Sequence, residues 1–262
     1  MAVGQRMILW GTPASQPSRA VAWACLIKGL NFAYHDLTMR HLGVGGPVQP
    51  HNPSGQVPTL QDGDISVFEM PAILIYLAEK HGWSDLLPAD LAARTRMHQY
   101  LHFHHNFTRR ATLGLMAPHV TVAFRDMLVA RGKSQLVAAM DSADKLLAGQ
   151  RIVLEVADLI EAGWFPHGDF LCGAEPTLAD IACYEELSQL TWAGLFDFSA
   201  HAKLSRWLSA MAALPFHEPA HRYNLILGDI AAAPNTLTRF AAALEAGVQA
   251  LADCGVEVRR FG

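Results

Sequence analysis

One stretch restricts the fold of this chain more than any other: QVPTLQDGDISVFE, Gln56 to Glu69. Asp62-Gly63 between two apolar runs is a strong local hairpin signal, because Gly enters the left-handed region of a tight turn without steric cost. Val57 and Leu60 precede the turn, and Ile65 to Phe68 follow it. Val57-Pro58 at the entry of the first strand marks an edge or a reversal, since proline has no N–H to give to a ladder. A helix starts at once after the second strand, Pro71 to Lys80, with Ile73, Leu74 and Leu77 on one side. Pro71 in its first position gives up an N–H that had no partner there.

Upstream, the chain alternates the two periodicities. Met7–Trp10 and Phe32–Leu37 read as strands, separated by the helical pattern RAVAWACLIKGL, which Gly29 ends. TMRHLGVGGPVQPHNPSG is a loop by its Gly and Pro content. Downstream of residue 91 nearly everything is helical. LAARTRMHQYLHFHHNFTRRATLGLM is periodic up to Pro118, and Ser134–Trp164 follows with Gly149-Gln150 as a possible interruption. Thr177 and Asp180 have the spacing of a capping box, so LADIACYEELSQL is a well-started, central, buried helix. Leu237, Phe240, Leu244, Val248 and Leu251 form a last helical stripe. The expected class is α/β followed by all-α. The first domain covers residues 1–82, a linker 83–91, and a helical domain 92–262.

Composition narrows the function. Of 262 residues, 51% are apolar and 17% charged, which is enough for a full core and too little charge for disorder. A net charge of −4, with no Lys/Arg run, gives no reason to expect nucleic acid or a membrane surface as partner. Cys25, Cys172, Cys183 and Cys254 are scattered without Cys-x-x-Cys or zinc spacing, which fits a reducing, cytoplasmic setting. No signal-peptide core follows Met1, and no apolar run has membrane-spanning length. His98, His102 and His105 fall on one helical face, but no acid or Cys completes a ligand set, so no metal is expected.

The order strand, helix, strand, Val-Pro, hairpin, helix, then an all-helical half, resembles the soluble glutathione transferases. PASQPSRAV (Pro13–Val21) and NPSGQVPTLQDGD (Asn52–Asp64) are similar to motifs of the theta-type branch, which includes bacterial dichloromethane dehalogenases. YLHFHHNFTRR and the Thr-x-x-Asp cap fall at the family's spacing, and the resemblance spans residues 7–225. It implies a thioredoxin-like N-terminal domain, an all-helical C-terminal domain, glutathione as co-substrate and a homodimer.

The resemblance also assigns roles. Ser15 is implied to donate a hydrogen bond to the glutathione sulfur and hold it as thiolate. Lowering a thiol from about 8.5 by about 2 units takes roughly 2.7 kcal/mol. One charge-assisted hydrogen bond gives about 1.5–3 kcal/mol, and a helix N-terminus adds ~0.3–1 kcal/mol, so no metal or base is needed. Without the resemblance, Ser15 is an N-cap, and Ser18 is an alternative donor. Val57, before a cis Pro58, is implied to pair with the cysteinyl backbone of glutathione. Gln16, His41, Gln56, Glu69 and Met70 complete the implied glutathione set. Met70 stands where the family has Ser, and losing one hydrogen bond to a charged group costs about 1.5–3 kcal/mol. Pro13, Phe103, Phe107, Arg110, Leu113 and Met116 are implied to line the electrophile pocket between the halves, or else to be core. One of Arg109 and Arg110 is expected to face the sulfur. The leading expectation is a transferase acting on small or flat apolar electrophiles, including dehalogenation. The alternatives are a disulfide- or ether-cleaving reductase and a non-catalytic scaffold that has lost glutathione through Met70.

Overall fold

The computed structural model of the chain describes residues 6–124, 143–165, 168–233 and 235–261. They form two compact units. The first takes the chain up to Ala89, together with Ala213–Tyr223 and the segment from Leu244 onward. The second takes Asp90–Ala212 and Asn224–Ala243.

The first unit is built on a mixed sheet. Its elements are β1 (Met7–Gly11), α1 (Gln16–Ile27), β2 (Phe32–Asp36), β3 (Thr59–Asp62), β4 (Ile65–Phe68) and α2 (Met70–His81). β1 and β2 are parallel, which requires the α1 crossover between them. β3 runs antiparallel to β1, and the Asp62-Gly63 turn returns β4 antiparallel to β3. This is the thioredoxin-like arrangement. Small residues let α1 lie close to its surroundings, and every residue from Gln16 to Leu26 is buried. The hairpin is tied to α2 by Asp62, which accepts from Tyr76 Oη at 2.9 Å and pairs with Lys80.

A fifth strand completes the sheet in the order β4-β3-β1-β2-β5. β5 (Glu257–Arg260) runs parallel to β2, from Ala33↔Glu257 to Asp36↔Arg260. The sequence reading has no counterpart for it. Glu-Val-Arg-Arg is an outer strand with little apolar alternation, and its partner lies far away along the chain.

The second unit is helical. It contains α3 (Leu91–Asn106), α4 (Thr108–Thr121), α5 (Ala143–Gly163), α6 (Leu178–Trp192) and α7 (Ala202–Ala212). Two more helices, α8 (His217–Leu227) and α9 (Leu237–Asp253), contribute residues to both units. α6 is its centre, and every residue from Leu178 to Leu190 is buried. The Thr177 capping box is present. Asp180 accepts from Thr177 N (2.7 Å), Leu171 N (2.8 Å) and Trp207 Nε1 (2.9 Å), so one buried carboxylate fixes three segments.

Four expectations about helices need correction. The periodic run from Leu91 is not one helix: it breaks at Phe107, whose φ of −116° and ψ of −73° end α3 and begin α4. Pro118, expected to stop the helix, lies inside α4, which runs on to Thr121 and forgoes the one backbone bond that a proline cannot donate. Gly149 does not interrupt α5. A Cβ at Gly149 would lie 3.4 Å from Leu115 Cα, an ordinary contact between α5 and α4. Residues 134–142 of that expected helical stretch lie outside the described residues. The start of α2 moves by one residue, with Met70 first and Pro71 second.

Candidate active site

Ser15 ends the β1–α1 turn and caps α1. Its φ of −88° and ψ of 118° are extended, and its Oγ accepts from Ser18 N at 3.3 Å. A hydroxyl has one proton to give as well as lone pairs to accept with, so capping leaves the Ser15 proton free for a ligand. Capping and thiolate binding are therefore compatible in one side chain. Ser15 is half-buried, whereas Ser18 is fully buried, so Ser15 is the hydroxyl open to a ligand. Arg19, one turn into α1, is buried and donates from Nη1 to the Pro13 carbonyl at 2.8 Å. Pro13 and Gln16 are buried beside it.

The second part of the site is the turn before β3. The Val57–Pro58 peptide is cis. Gln56 is exposed, Val57 half-buried and Pro58 buried. Among the described residues no hydrogen bond reaches the Val57 main chain, so it offers a strand-like ligand an unpaired edge. Asn52 holds this turn in place. Its Nδ2 donates to Gln56 O and Thr59 Oγ1, both at 3.1 Å, and its Oδ1 accepts from Ser54 N at 3.0 Å and Ser54 Oγ at 2.8 Å. The sequence reading quoted Asn52 within a motif without giving it this role. The Asn-Pro dipeptide before a Gly was the available signal.

Glu69 and Met70 start α2. Glu69 adopts a φ of 69°, uncommon for a residue with a side chain, and it is exposed. Met70, by contrast, is only 3% exposed. The residue that replaces the family's Ser is thus part of the core, with its N–H at the helix N-terminus. His41 closes a 3-10 turn, Met39–His41: its Nδ1 lies 3.2 Å from Thr38 N and 3.0 Å from Thr38 Oγ1, and Arg40 Nε lies 3.3 Å from its Nε2. The imidazole is engaged within its own turn.

In the second unit, the expected electrophile residues divide by exposure. Phe107 is 47% exposed and stacks on Phe103 with ring centroids 4.6 Å apart. Arg110 is exposed and Leu113 is 37% exposed, whereas Met116 is buried. The arginine pair also divides. Arg109 Nη1 donates to Glu186 Oε1 at 2.8 Å, and Thr112 Oγ1 donates to Oε2 at 2.5 Å. His104 Nε2 is 3.4 Å from Oε1, an ion-pair distance longer than a good hydrogen bond. Burial pushes the Glu186 carboxyl up, but these partners outweigh it and hold its pKa at about 2. Arg109 is therefore committed to a buried carboxylate, and Arg110 keeps its charge at the surface.

The described cysteines are free thiols. Burial raises Cys25 and Cys172 to about 12, Cys183 well above its ordinary value, and Cys254 less strongly. None is a ready thiolate at neutral pH, so a reacting sulfur has to come from a ligand.

Comparison with known proteins bears on this site directly. Residues 14–80 match the family model "Glutathione S-transferase, N-terminal domain", and residues 122–215 match "Glutathione S-transferase, C-terminal domain". Dichloromethane dehalogenase of Methylophilus leisingeri is 31% identical over 207 residues, covering 76% of this chain and 73% of the relative. The chain belongs to the glutathione S-transferase family. Glutathione S-transferase T1 of Arabidopsis thaliana is 30% identical over 221 residues, covering 79% of this chain and 84% of the relative. Among solved structures, apo human glutathione S-transferase T1-1 superposes with a TM-score of 0.74 at 26% identity, covering 94% of this chain and 98% of that one. Human glutathione transferase theta-2, solved with glutathione and an unknown ligand, gives a TM-score of 0.73 at 27% identity, covering 94% and 98%. The chain is a theta-like glutathione transferase with glutathione as co-substrate, and these relatives favour that activity over the reductase and scaffold alternatives. No helix among the described residues of this transferase is long and apolar enough to cross a membrane.

Proposed function

We propose that this transferase activates glutathione through Ser15 and conjugates its sulfur to small or flat apolar electrophiles, with halide displacement among its reactions. The observation that carries the reading is the Ser15 hydroxyl, which accepts from Ser18 N and keeps a proton to donate at the start of α1. A thiolate there accepts that hydrogen bond and lies near the positive end of the helix, both of which favour the charged form. Val57 pairs with the peptide backbone of the ligand. The exposed Glu69 carboxylate meets its ammonium, and the Met70 N–H binds its α-carboxylate. Gln16, Gln56, Pro58 and His41 shape this binding surface.

Phe103, Phe107, Arg110 and Leu113 select the electrophile through stacked rings, an aliphatic side chain and the exposed Arg110 cation. Pro13 and Met116 are buried, each in its own unit. The displaced group leaves as halide when the carbon attacked by sulfur carries one. The reading includes a homodimer, a detoxifying role and a cytoplasmic setting, supported by the family and by four free thiols. No metal is invoked.

Calorimetric titration with glutathione tests it, with the parent beside Met70→Ser. Binding in the parent, tightened about tenfold or more by the restored hydroxyl, is expected. Absence of binding in the parent, regained in Met70→Ser, overturns glutathione use by the natural chain.

A further inference from the structure

The segment from Leu244 lies in the first unit and touches Pro13 of the β1–α1 turn and Trp10 of the strand that leads into it. On one side is Pro13, two residues before Ser15. A Cβ built on Gly247 of α9 would stand 2.8 Å from Pro13 Cβ and 3.1 Å from Tyr223 Cβ, so only a glycine permits this approach. Glycine is otherwise a poor choice within a helix. Arg19 belongs to the same contact: its guanidinium donates to Pro13 O at 2.8 Å and lies 5.9 Å from the Tyr223 ring centroid. On the other side is Trp10, in β1. The Phe261 ring packs 5.3 Å from Trp10 and 5.5 Å from His35, and Phe261 N donates to Asp36 O at 3.3 Å.

The two contacts are braced against each other. Gly255, with a φ of 84°, turns α9 into β5, and β5 is hydrogen-bonded along β2. Arg260 binds Glu245 of α9 through both of its terminal nitrogens, at 2.5 and 2.9 Å. Arg6, just before β1, pairs with Glu257. Helix and strand thus form one clamp whose two ends hold the residues flanking the serine turn.

We propose that the C-terminal segment from Leu244 to Phe261 is a positioning element for Ser15, with Gly247 and Phe261 as its positioning residues. This rests on the reading of Ser15 as thiolate donor. A hydrogen bond to sulfur weakens steeply with distance and angle. A turn held at Trp10 and Pro13 keeps the Ser15 hydroxyl aimed, and a released turn costs thiolate stabilisation more than it costs binding of the peptide at Val57 and Glu69.

The test compares the full-length parent with Gly247→Ala, Phe261→Ala and Ser15→Ala. Amide hydrogen exchange is followed at Ser15 and Ser18 without ligand, and the pKa of the bound glutathione thiol is read from thiolate absorbance. The clash of the methyl added in Gly247→Ala with Pro13 lowers the thermal midpoint whatever the role of the contact, so stability alone does not discriminate; a purely structural role leaves both readouts unchanged. The expected result is exchange at the two amides faster by about tenfold and a thiol pKa raised by about one unit in Gly247→Ala. Phe261→Ala moves both the same way by less, and glutathione affinity changes less than the thiol pKa in each. If Ser15→Ala raises the thiol pKa while both other variants leave pKa and exchange unchanged, the positioning role is overturned and the serine reading stands. If Ser15→Ala leaves the thiol pKa unchanged, the serine reading falls and the proposal with it.

Discussion

Replacing Glu186 by Gln is expected to cost about 3 kcal/mol at neutral pH, and most of that cost should vanish in acid. The carboxyl titrates near 2 in the fold against 4.5 ordinarily, a gap worth about 1.4 kcal/mol per unit. A depressed carboxylate stabilises the fold fully above its unfolded pKa, and that contribution is lost as pH falls through the folded one. Integrated at pH 7 this gives about 3 kcal/mol, and at pH 3 about 1 kcal/mol. An independent estimate agrees. Breaking a buried ion pair by removing one partner costs ~3–5 kcal/mol, and the low end applies because the Arg109 side chain is 25% exposed and regains some water. Urea unfolding of parent and Glu186→Gln, followed by tryptophan fluorescence at pH 7 and pH 3, reads both numbers. Comparing the two proteins at each pH cancels the other titrating groups. A gap below about 1 kcal/mol at pH 7, or one that does not narrow at pH 3, refutes the reading of Glu186 as a buried carboxylate held ionised by His104, Arg109 and Thr112.

Other outcomes follow from the same structure. Met70→Ser removes a buried thioether, so its tighter glutathione binding should come with a stability loss of about 2–3 kcal/mol, read by urea unfolding without ligand. Asn52→Ala strips four hydrogen bonds from the turn before Val57. It should weaken glutathione binding about tenfold or more while kcat with saturating glutathione changes little, a split that steady-state kinetics resolves. The thiols should resist alkylation by iodoacetamide in the native protein at pH 7.5, with Cys254 the first to react; mass spectrometry of digests gives the order, and rapid labelling of Cys25 contradicts its burial.

What the sequence made legible was local. The Asp62-Gly63 hairpin, the Ser15 cap and the Thr177–Asp180 capping box are each written within a few residues of the contacts they make, so turn and cap chemistry reveals them. Features that depend on distant partners were not legible. β5 finds β2 across more than two hundred residues, and its exposed Arg and Glu side chains conceal it as a strand. Arg109 and Arg110 are neighbours that only the buried Glu186 separates in role. The break at Phe107 is invisible because the helical period continues through it. Met70 read as a lost hydroxyl, whereas the fold uses it as core. Gly247 lies within the last helical stripe, and its reason, the proximity of Pro13, leaves no local trace in the sequence.

The most direct test of the account is the pKa of the glutathione thiol when bound, taken from thiolate absorbance across pH in the parent and in Ser15→Ala. The account predicts a value about 2 units below the free thiol in the parent, returning to within about half a unit of the free value when the hydroxyl is removed. Equal values in the two proteins would contradict it.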